Sequence, residues 1–178
     1  QGLCFHRDGP VGFGWGAFQP SQDLFNAFQV DNNGLPVLET DQRVNLKNDM
    51  GVESDEEFQP TDHFLDPRVD WTIARRGIPY LDWGIHQGKS WIRSQNDGGP
   101  YMTKKYMHYQ KNSGLATSDG FKNARNFRAY RYAHILLWRA EVAIEENDLG
   151  YARELVNMVR ERAQDDYVMG RCSTYIFD

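Results

Sequence analysis

Arg131-Tyr132-Ala133-His134-Ile135-Leu136-Leu137-Trp138-Arg139-Ala140-Glu141-Val142-Ala143-Ile144 is the stretch whose reading decides the fold. Ala133, Leu136, Leu137, Ala140, Ala143 and Ile144 recur at i, i+3, i+4, i+7, i+10 and i+11, one face of an amphipathic helix. Asn147-Asp148 then supplies a stop and a restart, because Asn tolerates the left-handed position after a helix and Asp caps the next one. Ala152, Leu155, Val156, Val159 and Ala163 repeat the spacing. The pattern predicts antiparallel helices over about 131–146 and 149–163, an αα-hairpin of tetratricopeptide type. Leu136, Leu137, Ala140, Leu155, Val156 and Val159 are its expected seam. One hairpin cannot bury its own outer face, so partner helices are expected in sequence beyond these 178 residues.

Upstream the texture is different. From Gln1 to about Lys122, Gly, Pro, Asn and Asp recur every few residues and long helical periods are absent, which reads as loop-dominated backbone. One short helix is expected after Pro20-Ser21, with Asp23 in its first turn, Leu24, Phe25 and Phe28 as its apolar stripe, and Asp31-Asn32-Asn33-Gly34 as its end.

Composition removes several function classes. The 20 Lys and Arg stand against 25 Asp and Glu, a formal charge of −5, so the basic excess that duplex binding requires is missing and nucleic acid is not an expected partner. Apolar residues make up 40% and aromatic residues 13%, enough to bury a core. No apolar run approaches the length of a membrane span. Cys4 and Cys172 stand near opposite ends, with no neighbouring Cys or His to complete a zinc site; they read as two thiols, with a disulfide as the alternative.

Motifs with catalytic or cofactor chemistry fail on context. Gly12-Phe13-Gly14-Trp15-Gly16-Ala17 satisfies G-x-G-x-x-A, but Pro10 before it and Pro20 after it deny the strand and helix that hold a pyrophosphate, so it reads as a tight aromatic-glycine loop. Glu53-Ser54-Asp55-Glu56-Glu57 lacks the alternating order of a calcium loop and reads as solvated. His6, His63, His86, His108 and His134 are scattered, so no metal site is expected. No cofactor is expected either. Asp66, Asp70 and Asp82 are the carboxylates that a glycosidase pair would draw on.

The densest signal is aromatic. Trp71, Tyr80, Trp83, Trp91, Tyr101, Tyr106 and Tyr109 are interleaved with Arg75, Arg76, Asp82, Lys89, Arg93, Asn96 and Asp97. A pyranose has apolar C–H faces and a hydroxyl rim, so aromatic faces beside amides, carboxylates and guanidinium groups suit it. The same residues also suit packing of a loop-rich layer.

Asp66-Pro67-Arg68-Val69-Asp70-Trp71-Thr72, Arg75-Arg76-Gly77-Ile78-Pro79-Tyr80-Leu81-Asp82-Trp83-Gly84, the Arg131–Glu141 block, and Gly14-Trp15-Gly16-Ala17-Phe18-Gln19-Pro20-Ser21 resemble the mid-to-late part of SusD/RagB-family proteins, in order, from about Gly12 to Ala163. His134 stands where the family usually has an acidic residue. The resemblance implies a mainly α fold, a SusD-like α-α superhelix of which this is a partial chain. Its parts would be a loop-rich ligand-side region over 1–125, a tetratricopeptide-like hairpin over 126–164 and an unassigned tail over 165–178. It further implies a non-catalytic lipoprotein of Bacteroidetes type at the outer-membrane cell surface. Such a protein captures oligosaccharides, or alternatively peptides, for a SusC-like TonB-dependent transporter, and touches the membrane only through an N-terminal lipid anchor that this sequence does not include. Family ligand sites vary in loops, which makes Trp71, Tyr80 and Trp83 framework and leaves Trp15, Trp91, Asn96, Asp97 and Tyr101 as the expected ligand contacts. A glycoside hydrolase with paired carboxylates and a tetratricopeptide protein-protein scaffold are the alternatives.

Overall fold

The computed structural model describes residues 18–105, 107, 109–115 and 129–163. They fall in two compact units, one within 18–115 and one over 129–163. The expectations that rest on Cys4, Cys172, the 12–17 glycine loop and Trp15 lie outside the described residues.

In the first unit regular elements are short. Helix α1 (Gln22–Asn26) begins where Ser21 Oγ accepts a hydrogen bond from Leu24 N at 3.0 Å. It ends at Asn26, earlier than the Asp31-Gly34 stop, because Phe28 N and Gln29 N turn back to Phe25 and Asn26 carbonyls and the chain leaves as bridge backbone. Asp31 instead builds the next turn, its Oδ1 accepting from Asn33 N and Leu35 N at 2.9 and 2.8 Å. Helix α2 (Val69–Thr72) runs into β1 (Ile73–Ala74), which pairs antiparallel with β2 (Met102–Thr103). Helix α3 (Gln95–Gly98) lies between the two strands in sequence.

Two apolar clusters flank this ribbon, as strand alternation requires. Phe25, Leu46, Leu65, Val69, Ile73 and Tyr101 form one; Ala74, Tyr80, Ile92, Met102 and Met107 form the other, with Trp83 and Trp91 packed on its edge. Successive residues Ile73 and Ala74 thus point to opposite cores.

The second unit is the hairpin itself, α4 (Tyr132–Glu145) and α5 (Leu149–Ala163). Ala140, Ala143, Ala152 and Leu155 are buried in its seam, and Leu136 and Val156 pack partly against them. The small residues let the two backbones approach closely. Leu137, expected in the seam, is 38% exposed. The seam follows Leu136, Ala140 and Ala143, the i, i+4, i+7 line, and Leu137 is rotated to its flank. The turn behaves as its two residues require. Asn147 takes the left-handed conformation at φ 59°, with Asn147 N donating to Ile144 O at 2.9 Å and Asp148 N to Ala143 O at 2.8 Å, a Schellman closure. Asp148 Oδ1 then accepts from Tyr151 N at 3.1 Å. Asp148→Ala is expected to lower unfolding free energy by about 1 kcal/mol in urea titration, with β-branched Asn147→Val lowering it further.

Candidate functional site

The 75–91 segment folds as an irregular hairpin. Gly77 N donates to His86 O at 3.0 Å, His86 N to Ile78 O at 3.0 Å and Tyr80 N to Gly84 O at 2.7 Å, while Gly77 at φ 81° and Gly84 at φ 101° take turn conformations that side chains disfavour. Tyr80 is wholly buried and its hydroxyl donates to Thr103 O at 3.0 Å. It is framework, as the resemblance implied.

Trp91 sits in the turn that follows. Its ring meets His86 edge-on at 5.2 Å and Tyr80 at 6.0 Å, and the side chain is half-buried against the second apolar cluster. Asn96 and Asp97 are exposed on α3. Gln95, on the same helix, points inward: its Oε1 accepts from Gly51 N at 2.8 Å and its Nε2 donates to Asp49 O at 3.2 Å. Gly99 at φ 81° ends α3 and turns the chain inward. Tyr101 is therefore 1% exposed, against Phe25 at 5.0 Å, with its hydroxyl donating to Gln22 Oε1 at 2.7 Å. Burial pushes that hydroxyl's pKa up. A ring enclosed on both faces offers no ledge for a sugar, which corrects the expectation that Tyr101 contacts ligand. Of the expected contacts, Trp91 is half-buried and Asn96 and Asp97 are exposed, five and six residues further along the same stretch.

A polar interior underlies this loop. His86 is 1% exposed; its Nδ1 accepts from Gly88 N at 3.0 Å, so the neutral ring carries its proton on Nε2. Burial, with the nearby charges of Lys104 and Arg76, pushes its pKa down to about 3. Asp49 is 2% exposed, and burial pushes its carboxyl up to about 6. Gly88, at φ 78°, separates the two. A Cβ there would fall 2.6 Å from Asp49 Oδ2 and 2.7 Å from Arg76 Cδ, so only glycine fits. Arg76 reaches out to the carbonyls of Ser54 and Glu56 and pins the acidic loop, which the sequence reads as merely solvated.

The three glycosidase candidates have other employment. Asp70 is buried against Arg75, whose Nε and Nη2 lie 3.1 and 3.0 Å from Oδ1. Asp66 chelates Arg68. At Asp82 burial opposes the charge, yet the N–H groups of Gln110 and Lys111 outweigh it and hold the carboxyl below the usual range. Among the described residues no cluster of His, Cys, Asp or Glu is arranged for a metal ion. Asp49, Gln95 and His86 were not singled out by sequence reasoning. Asn48-Asp49-Met50-Gly51 reads as an ordinary turn, and nothing local marks its carboxylate as buried.

A tetratricopeptide-type helix pair, together with a loop-rich unit that has few, short strands among the described residues, defines a mainly helical class of fold. The family model of the SusD family matches residues 2–171, and the chain belongs to that family. Its members are outer-membrane-associated surface proteins that bind nutrients, glycans foremost. No curated protein matches the chain. No helix among the described residues is long and apolar enough to cross a membrane.

Proposed function

We propose that this protein captures oligosaccharides at the bacterial cell surface and delivers them to a TonB-dependent outer-membrane transporter, without catalysis, held to the outer membrane as a lipoprotein. The family match over residues 2–171 carries the reading. The 88–99 loop supports it locally, because the Trp91 edge, the Asn96 amide and the Asp97 carboxylate supply a C–H contact and hydroxyl partners within one short stretch. Weak binding is expected, Kd from about millimolar to micromolar, since desolvating hydroxyls offsets much of the stacking.

The structure decides which residues to change. Trp91→Ala would disturb the Tyr80 and His86 packing as well as any ligand contact, so it cannot separate the two roles. Asn96 and Asp97 are exposed and separate them. On a glycan identified by array screening of the full chain, the double variant Asn96→Ala/Asp97→Ala is expected to weaken binding about tenfold, roughly 1.4 kcal/mol, with the melting temperature within about 2 °C of wild type. Unchanged affinity for that glycan would remove the site from this loop. Release of reducing ends from the glycan would instead establish a hydrolase.

A further inference from the structure

Asp49 stands where three segments meet. Its carbonyl accepts from Val52 N at 3.1 Å and from Gln95 Nε2 at 3.2 Å, and Gln95 Oε1 takes Gly51 N, so the 49–52 turn is stapled to α3. Just beyond, Ser54 Oγ accepts from Ser90 N at 2.9 Å and Glu53 pairs with Lys89. These ties between the 49–57 loop and the 88–98 loop are polar, and Met50, Gly51, Glu53, Asp55, Glu56 and Glu57 are exposed. Such a segment can open locally without unfolding the core.

The carboxyl inside this joint is poorly placed to be charged. Asp49 is 2% exposed, its Oδ2 has no hydrogen-bond partner, and it lies against the Gly88 backbone. Arg76, from the 75–91 hairpin, faces it and favours its charged form, but the Nη2 of that guanidinium is held by the Ser54 and Glu56 carbonyls and its buried Nη1 makes no hydrogen bond to the carboxyl. The Tyr101 hydroxyl, Lys47 and Arg75 line the same small pocket, and His86 lies across Gly88. The N–H of Asp49 itself and the Arg76 charge favour the carboxylate, but burial with Oδ2 left unpartnered outweighs them and favours the neutral form.

We propose that Asp49 is a proton-operated latch on the loop that carries Trp91, Asn96 and Asp97: protonated, it keeps the 49–57 loop seated, and losing the proton favours a local opening in which the carboxylate reaches water. One proton passes between carboxyl and solvent, and no other reactant is needed. The direction follows from burial. The closed form holds the proton up to about pH 6, whereas an opened Asp returns to its ordinary value of 3.8, so opening becomes easier as pH rises between those limits and levels off above them. The latch does not depend on what the loop binds.

Amide hydrogen exchange on the whole 178-residue chain, corrected for intrinsic rates, tests this. Between pH 4.5 and 7, protection of Gly51 N and Ser90 N is expected to fall about 25-fold. Lys104 N and Asp66 N, bonded to Thr72 O and Phe28 O in the core, are expected not to lose protection in parallel. In Asp49→Asn the fall at Gly51 and Ser90 disappears. A parallel loss at the core amides would mean that Gly51 and Ser90 open only when the whole unit unfolds, and there would be no latch. A fall that survives in Asp49→Asn would assign the opening to another group. If that variant does not fold, the comparison of the two amide pairs in the wild type decides alone.

Discussion

Arg75→Met is expected to cost the loop-rich unit about 3–5 kcal/mol, the range for breaking a buried ion pair from one side. Asp70 and Arg75 have side chains 0% and 5% exposed, joined by Nε to Oδ1 at 3.1 Å and Nη2 to Oδ2 at 3.3 Å. Met fills much of the volume of the Arg stem, so the loss is mainly electrostatic: Asp70 stays 1% exposed and forfeits its guanidinium. The pair also spans the junction of α2 with β1, so the strain falls where the two apolar clusters meet. Adding Asp70→Asn to Arg75→Met is expected to restore about half of the loss, because no charge is then left buried. Urea titrations of the four proteins in the cycle measure this. A single-variant loss under about 1 kcal/mol would mean that water reaches Asp70 and that the pair is not the buried bridge described.

This pair also marks the limit of what periodicity tells. The helix hairpin is legible because its information is local: the 3.6-residue period, Asn147 at the left-handed position and Asp148 as a cap all lie within one stretch. The short helix start at Ser21 is legible for the same reason. The site loop is legible only in part. Asn96 and Asp97 follow from turn chemistry and polarity, but the inward turn of Tyr101 depends on Phe25 and Gln22, nearly eighty residues upstream, and no pattern around Tyr101 encodes it. Asp49 and His86 are harder still. Their burial is created by Gly88 and Arg76 from the 75–91 hairpin and Gln95 from α3, so an Asp in a turn-like stretch and a lone His become strongly perturbed in the acid range.

Those two groups pull stability in opposite directions with pH, and Asp49→Asn is expected to uncover the hidden half. Burial holds His86 neutral down to about 3, while an unfolded His binds its proton near 6.5; the stability this contributes is present above 6.5 and lost as pH falls toward 3. Asp49 is raised, so its contribution has the other sign: stability is gained as pH falls from about 6 toward 3.8. At about 1.4 kcal/mol per unit, His86 removes roughly 2–3 kcal/mol between pH 7 and 4.5, and Asp49 returns roughly 2. The wild type is therefore expected to lose less than about 1 kcal/mol over that interval, whereas Asp49→Asn, which keeps the His86 response without the opposing one, is expected to lose roughly 2–3. Unfolding in urea at pH 7, 5.5 and 4.5 gives both slopes. The same steep slope in both proteins would show that the Asp49 carboxyl is already ionised and solvated at pH 4.5. A steep loss in the wild type alone would reverse its sign and place a favourable charge partner at Asp49.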